Sequence, residues 1–317
     1  MKKMLKTVAL IGGTAQLFAS AYLFLYAFYR EKIRFFDSNT EETMSEDWKI
    51  FIQKSKEGEE WMKTKKMETI TILSEEGLRL TATMLWAEKN TGKTVVAVHG
   101  YRGNGIRDFA GSARFYHELG YNLLIVHNRA HGDSEGKWIG FGWKDKNDIQ
   151  RWCEYLVDRL KGNAQIVLLG ISMGAATVMM ASGEKLPPQV KGIIEDCGYT
   201  SVWEQFSHAY PKSCKFPKHL TMSLASGMNK LINGFTFREG SCIRQLRKNK
   251  RPVLFIHGSV DDFVPTKMVY DLFSATKGEK RLLVVQGAGH ALSVVKEPEK
   301  YYGAIKNFLD EFLQKGE

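Results

Sequence analysis

Gln165-Ile166-Val167-Leu168-Leu169-Gly170-Ile171-Ser172-Met173-Gly174 runs an apolar stretch into a G-x-S-x-G turn, and the small residues Ala175-Ala176-Thr177-Val178 follow it. The stretch has the length and composition of a buried strand, and the small residues suit a helix packed close beneath it. A chain that passes from strand to helix in so few residues leaves no room for side chains at Gly170 and Gly174. Ser172 is then held at the apex with its Oγ exposed above the helix N-terminus, which makes it a candidate nucleophile. Three fixed positions in five recur by chance, so the reading depends on what surrounds them.

A serine nucleophile needs a base to take its proton and a carboxylate to hold the tautomer of that base. Downstream, Pro252–Ile256 reads as a buried strand and leads into His257-Gly258-Ser259-Val260-Asp261-Asp262. A further strand, Arg281–Val285, ends in Gly287-Ala288-Gly289-His290. Ser172, Asp261 and His290 therefore succeed one another in the order nucleophile, acid, base, each just past a strand. The spacing H-G-x-x-D-x-x-V-P, completed by Val264 and Pro265, favours Asp261 as the acid, with Asp196 and then Asp262 as alternatives. Upstream, the strand Thr94–Val98 ends in His99-Gly100-Tyr101-Arg102-Gly103. The backbone N–H groups of Tyr101 and Met173 are expected to form an oxyanion hole, with Gly100 shaping the turn. Each such donor lowers the barrier by about 3–4 kcal/mol.

Together with Arg129-Ala130-His131-Gly132-Asp133-Ser134-Glu135-Gly136 and Asp196-Cys197-Gly198-Tyr199-Thr200-Ser201, these segments resemble the α/β-hydrolase superfamily. More narrowly, they resemble its membrane-anchored bacterial members related to the serine aminopeptidase-like hydrolases. The resemblance runs from about Met67 to the C-terminus. The octapeptide at 129–136 is similar to the R-G-H-G-x-S-x-G loop of that group, with Ala130 in place of the first glycine. The resemblance implies a mostly parallel eight-stranded sheet with helices on both faces, and hydrolysis of esters, thioesters or amides. It leaves the substrate open, because one fold supports many chemistries.

Periodicity fills in the rest of that α/β architecture. Asp148–Lys161 and Pro298–Leu313 carry apolar stripes at helical spacing. Tyr121–His127 and Val190–Glu195 read as further strands, and Met67–Leu73 with Leu78–Trp86 as a leading hairpin. Residues 67–317 thus form one hydrolase domain, with a helical cap inserted at about 197–251. The cap holds ten lysines and arginines against Glu204 and Glu239, a net +8 out of +10 for the whole chain. Such a concentration is a solvated face, or a surface for anionic lipid or anionic substrates. Nucleic acid is not expected, as no recognised binding module is present.

No charge occurs from Thr7 to Tyr29, a run long enough to cross the hydrocarbon core as a helix. Residues 1–34 are read as a single-pass membrane anchor and 35–66 as a helical stem. Basic residues flank both ends of the run, and the catalytic domain is placed outside the cytoplasm. His127 and His131 lack the helical spacing and intervening Glu of a zinc site, so no metal and no cofactor are expected. Of the four cysteines, Cys153 reads as core, and Cys214 with Cys242 is the one pair placed for a disulfide.

The function expected is that of a serine carboxylesterase acting through an acyl-enzyme. A peptidase or amidase of the serine aminopeptidase type is the second reading, and a silent lipid- or protein-binding scaffold the third. A serine in the elbow argues against dehalogenase or epoxide hydrolase chemistry, which uses an aspartate there.

Overall fold

The computed structural model describes residues 2–30, 45–89 and 91–313, with side chains of the first helix described from residue 12. Its centre is a sheet of β1 (Met67–Leu73), β2 (Arg79–Leu85), β3 (Lys93–Val98), β4 (Asn122–Val126), β5 (Gln165–Ile171), β6 (Val190–Asp196), β7 (Val253–Gly258) and β8 (Lys280–Val285). The strands lie in the order β1-β2-β4-β3-β5-β6-β7-β8. From β4 onward all neighbours are parallel, while β1 and β2 pair antiparallel at one edge. Eight strands, six of them parallel, match the architecture expected from the sequence.

A parallel sheet is buried on both faces, so its strands alternate between two cores rather than between core and water. In β5, Ile166 and Leu168 enter one core, and Val167 and Leu169 the other. The first core is closed by α4 (Asp145–Arg159), α5 (Met173–Ser182), α8 (Cys242–Leu246) and α9 (Lys267–Ala275), through side chains such as Trp152, Val178, Leu246 and Val269. The second is closed by α3 (Gly105–Glu118) and α11 (Pro298–Leu313), with Phe109, Tyr116, Ile305 and Phe308. The short α10 (Ser293–Lys296) precedes α11.

Within the expected stem of 35–66 lies α2 (Glu46–Lys63), whose start is capped by Ser45; residues 35–44 lie outside the described residues. α2 does not stand away from the domain. It lies along α3, where Ser55 Oγ donates to the Arg107 carbonyl at 2.6 Å and Met62 enters the second core.

The cap consists of α6 (Val202–Ala209), α7 (Lys218–Asn233) and α8. Against it lies α1 (Lys2–Phe28), and here the sequence reading is revised. The run read as a membrane span is helical, but one face of it packs on the protein. Gln16 Nε2 donates to Thr221 Oγ1 of α7 at 2.8 Å. Phe28 is fully buried and stacks on Phe237, with Phe141, Phe206 and Phe235 around it. Among the described residues no helix is long and apolar enough to cross a membrane. An aromatic pair four residues apart, Phe24 and Phe28, gives this helix a side that fits an aromatic nest, which the uncharged run conceals when read by hydropathy alone. Residues 31–34 of the expected anchor lie outside the described residues.

Candidate active site

Ser172 sits between β5 and α5 with φ 57° and ψ −115°, a conformation that L-residues adopt only when their surroundings impose it. The surroundings are close. A Cβ on Gly170 would lie 2.2 Å from the Gly174 carbonyl oxygen, and one on Gly174 1.8 Å from the Val98 carbonyl oxygen. The Ser172 N–H donates to the Asp196 carbonyl at 2.8 Å, tying the elbow to the end of β6. The side chain points toward His290, with Oγ 2.9 Å from Nε2. On its other side, His290 Nδ1 lies 2.7 Å from Asp261 Oδ2. With the proton on Nδ1, the ring donates to the carboxylate and accepts from the serine.

Asp261 is held from three further directions. Its Oδ1 accepts the N–H groups of Phe263 at 3.0 Å and Val264 at 2.8 Å. His257 Nε2, which also reaches the Val264 carbonyl at 2.9 Å, lies 3.3 Å from Oδ2. Burial by itself would raise this carboxyl. Hydrogen bonds with His257 and His290, the charge of His290 and the Val264 N–H outweigh it and hold Asp261 below the ordinary carboxylate range. The alternative acids are placed elsewhere. Asp196 is fully buried beside Tyr301 and raised to about 6 by that burial, while Asp262 is exposed and offers its main-chain carbonyl to His208.

Met173 supplies the first N–H of α5, one of the four that helix geometry leaves without an intrahelical acceptor. Tyr101 follows β3 in a loop whose neighbouring amides are fixed by side chains. Gly100 N–H donates to Asp108 Oδ2 at 3.2 Å, and Arg102 N–H to His131 Nε2 at 3.0 Å. His131 accepts only while neutral. Burial lowers it to about 4, despite the bond from Nδ1–H to the Arg129 carbonyl. His99 braces the same loop, with Nδ1–H to the Gly100 carbonyl at 2.8 Å and Nε2 accepting Asn128 N–H at 3.1 Å. His131, one of the two histidines that sequence spacing set aside as metal ligands, therefore orients loop backbone, as does His99.

Positive φ in non-glycine residues gathers along this ledge: Arg102 after β3, Ala130 after β4, Ser172 after β5 and Cys197 after β6. Cys197 Sγ lies within 4.8 Å of the Asp261 and His290 ligand atoms. Burial pushes its thiol well up and keeps it protonated, and the other two groups bond each other, so the cluster does not offer a metal three free donors. Cys214 and Cys242 are both free: Cys242 Sγ turns to the Ala176 carbonyl, and Cys214 to the Tyr210 hydroxyl. The disulfide reading is corrected accordingly.

Three contributors escaped the sequence reading. Asp108 lies inside α3, where nothing in its spacing marks it. His257 is the first residue of the H-G-x-x-D segment and could have been noticed there. The third is the end of α1. The Tyr101 hydroxyl donates to the Ala27 carbonyl at 2.9 Å and the Arg102 guanidinium to the Tyr26 carbonyl, so the loop beside Ser172 also grips the helix C-terminus.

Comparison with known proteins bears on the family and the fold. The model of the prolyl oligopeptidase family, Peptidase_S9, matches residues 107–316. The uncharacterized protein YqkD of Bacillus subtilis is 29% identical over 227 residues, covering 71% of this chain and 73% of that one. Among solved structures, the Pyrococcus furiosus esterase Pf2001 superposes with a TM-score of 0.64 at 22% identity, over 78% of this chain and 93% of that one. The Pyrococcus horikoshii acylaminoacyl peptidase does so with 0.59 at 20% identity, over 80% of this chain and 42% of its own. These last two likenesses speak for the fold.

Proposed function

The chain belongs to the prolyl oligopeptidase family within the α/β-hydrolases, and from that premise we propose that it is a serine hydrolase that cleaves carboxylic esters through an acyl-enzyme. The reading is carried by one observation, the unbroken pair of hydrogen bonds from Ser172 through His290 to Asp261. His290 Nε2 takes the proton of Ser172 as Oγ adds to the carbonyl carbon. Asp261 keeps the other ring proton on Nδ1 and stabilises the imidazolium that forms. The oxyanion develops toward the Tyr101 and Met173 amides, with Met173 N–H at the positive end of α5. His290 then returns the proton to the leaving alcohol, and water repeats the sequence on the acyl-enzyme.

The ester preference rests on the surroundings. Tyr101, whose amide is the expected oxyanion donor, begins a row of aromatic rings, tilted against Phe141 at 5.1 Å, which in turn meets Phe206 edge-on at 4.9 Å, an apolar wall suited to an acyl chain. The family name and the acylaminoacyl peptidase likeness favour amide cleavage as the second reading. A fluorophosphonate probe on the full chain, beside Ser172→Ala, tests the nucleophile. Labelling of the wild type alone is expected, and an unlabelled but folded wild type would remove the proposal. Acyl esters of graded length, compared with aminoacyl amides, then decide between the two substrates.

A further inference from the structure

We propose that the outward faces of α1 and α7 form one docking surface for an anionic phospholipid bilayer, with α1 lying along the lipid surface rather than crossing it. A helix that is apolar all round is stable only when it is covered all round. One side of α1 is covered at Phe24, Ala27 and Phe28, by the cap together with Trp138 and Phe141. The opposite side is equally apolar and is open to solvent: Phe18 is 77% exposed and Tyr22 70%, with Leu25 on the same face. α7 runs alongside in the same direction, since Gln16 meets Thr221 near one end and Phe28 meets Phe235 near the other. α7 presents apolar side chains of its own, Leu231, 89% exposed, and Leu220.

Charge selects the occupant. The cap carries ten basic residues against two acidic ones. Lys212 and Lys215 stand exposed in the loop before α7, a loop pinned to that helix by Tyr210 through Thr221, and neither has an acidic partner among the described residues. An apolar aromatic strip flanked by uncompensated lysines is the composition that settles into an anionic headgroup layer. Tyrosine at the strip suits the same depth. Crossing the membrane would require α1 to abandon Phe28's nest and the grip of Tyr101 and Arg102, whereas lying on it leaves both intact.

The test is co-sedimentation of the full chain with vesicles of phosphatidylcholine, alone or mixed equally with phosphatidylglycerol. Binding to the mixed vesicles is expected, falling about tenfold or more for a Phe18→Asp, Tyr22→Asp chain and for a Lys212→Glu, Lys215→Glu chain. Turnover of a water-soluble ester should be unchanged in both, which separates lost docking from lost folding. Three results would overturn the proposal. One is binding retained in the aspartate variant, and another is equal binding to neutral and mixed vesicles. The third is a lipid-free dimer abolished by Phe18→Asp, which would assign the patch to a second copy of the chain.

Discussion

The ledge that carries Ser172, His290 and Asp261 and the roof made by α1, α6 and α7 lie a few ångströms apart and are held by different forces. On the ledge, backbone does the holding: positive φ at Ser172 and Arg102, and amides aimed by Asp108, His131 and Asp196. In the roof, side chains do it, with Phe28 seated among four other phenylalanines and two carbonyls gripped from below. Backbone geometry tolerates almost no substitution and leaves short, readable motifs. Aromatic packing tolerates many sequences of the right volume and leaves none. Chemistry and access in this chain are therefore recorded in two different ways.

Four substitutions test that contrast. Ser172→Ala should lower kcat for a soluble ester by about 10⁶ with the fold kept, because the ledge loses one atom and no backbone contact. Asp261→Asn should lower it by about 10⁴, through loss of the tautomer that faces the serine. Near wild-type turnover in that variant would return Asp196 to consideration. Phe28→Ala should do the reverse of both. Emptying the nest costs about 3–5 kcal/mol of local stability, seen as faster amide exchange along α1, while turnover of a small ester changes less than about tenfold. A loss of turnover as large as that of Asp261→Asn would mean that roof and ledge are a single unit.

The last effect expected is one of pH and bears on stability alone. Burial raises Glu195 to about 8, against the charge of His257 and the Gly198 N–H. In the unfolded chain the carboxyl ionises near its ordinary value of 4.5. Between those two values the unfolded state has released a proton that the folded state retains, so the native chain loses stability as pH rises through that window. Glu195→Gln keeps a carbonyl for Gly198 and never ionises. Its advantage in chemical denaturation should be nil below pH ~4.5 and level off above ~8, on the order of 5 kcal/mol. A constant difference across that range would place the ionisation elsewhere.

The same contrast explains what could be read in advance. The parallel strands were visible because a sheet buried on both faces demands apolar runs bounded by turns, while β1 and β2 were visible as a hairpin of alternating polar and apolar residues. The elbow and the order of Ser172, Asp261 and His290 were visible, because each follows a strand at fixed spacing. α1 was legible as a helix but not as a part of the cap. Hydropathy counts how apolar Thr7–Tyr29 is and says nothing of which side is already covered. Asp108 was hidden for another reason, since its partner is the amide of Gly100 and backbone leaves no trace in side-chain spacing.

Gln16 meets Thr221 across 205 positions of chain. At a synthesis rate of 5–20 residues per second, α1 leaves the ribosome roughly 10–40 s before its seat on the cap has been made. Throughout that interval both of its sides are bare. The apolar side that the cap will cover therefore stays without its seat until Thr221 and the residues after it have been made.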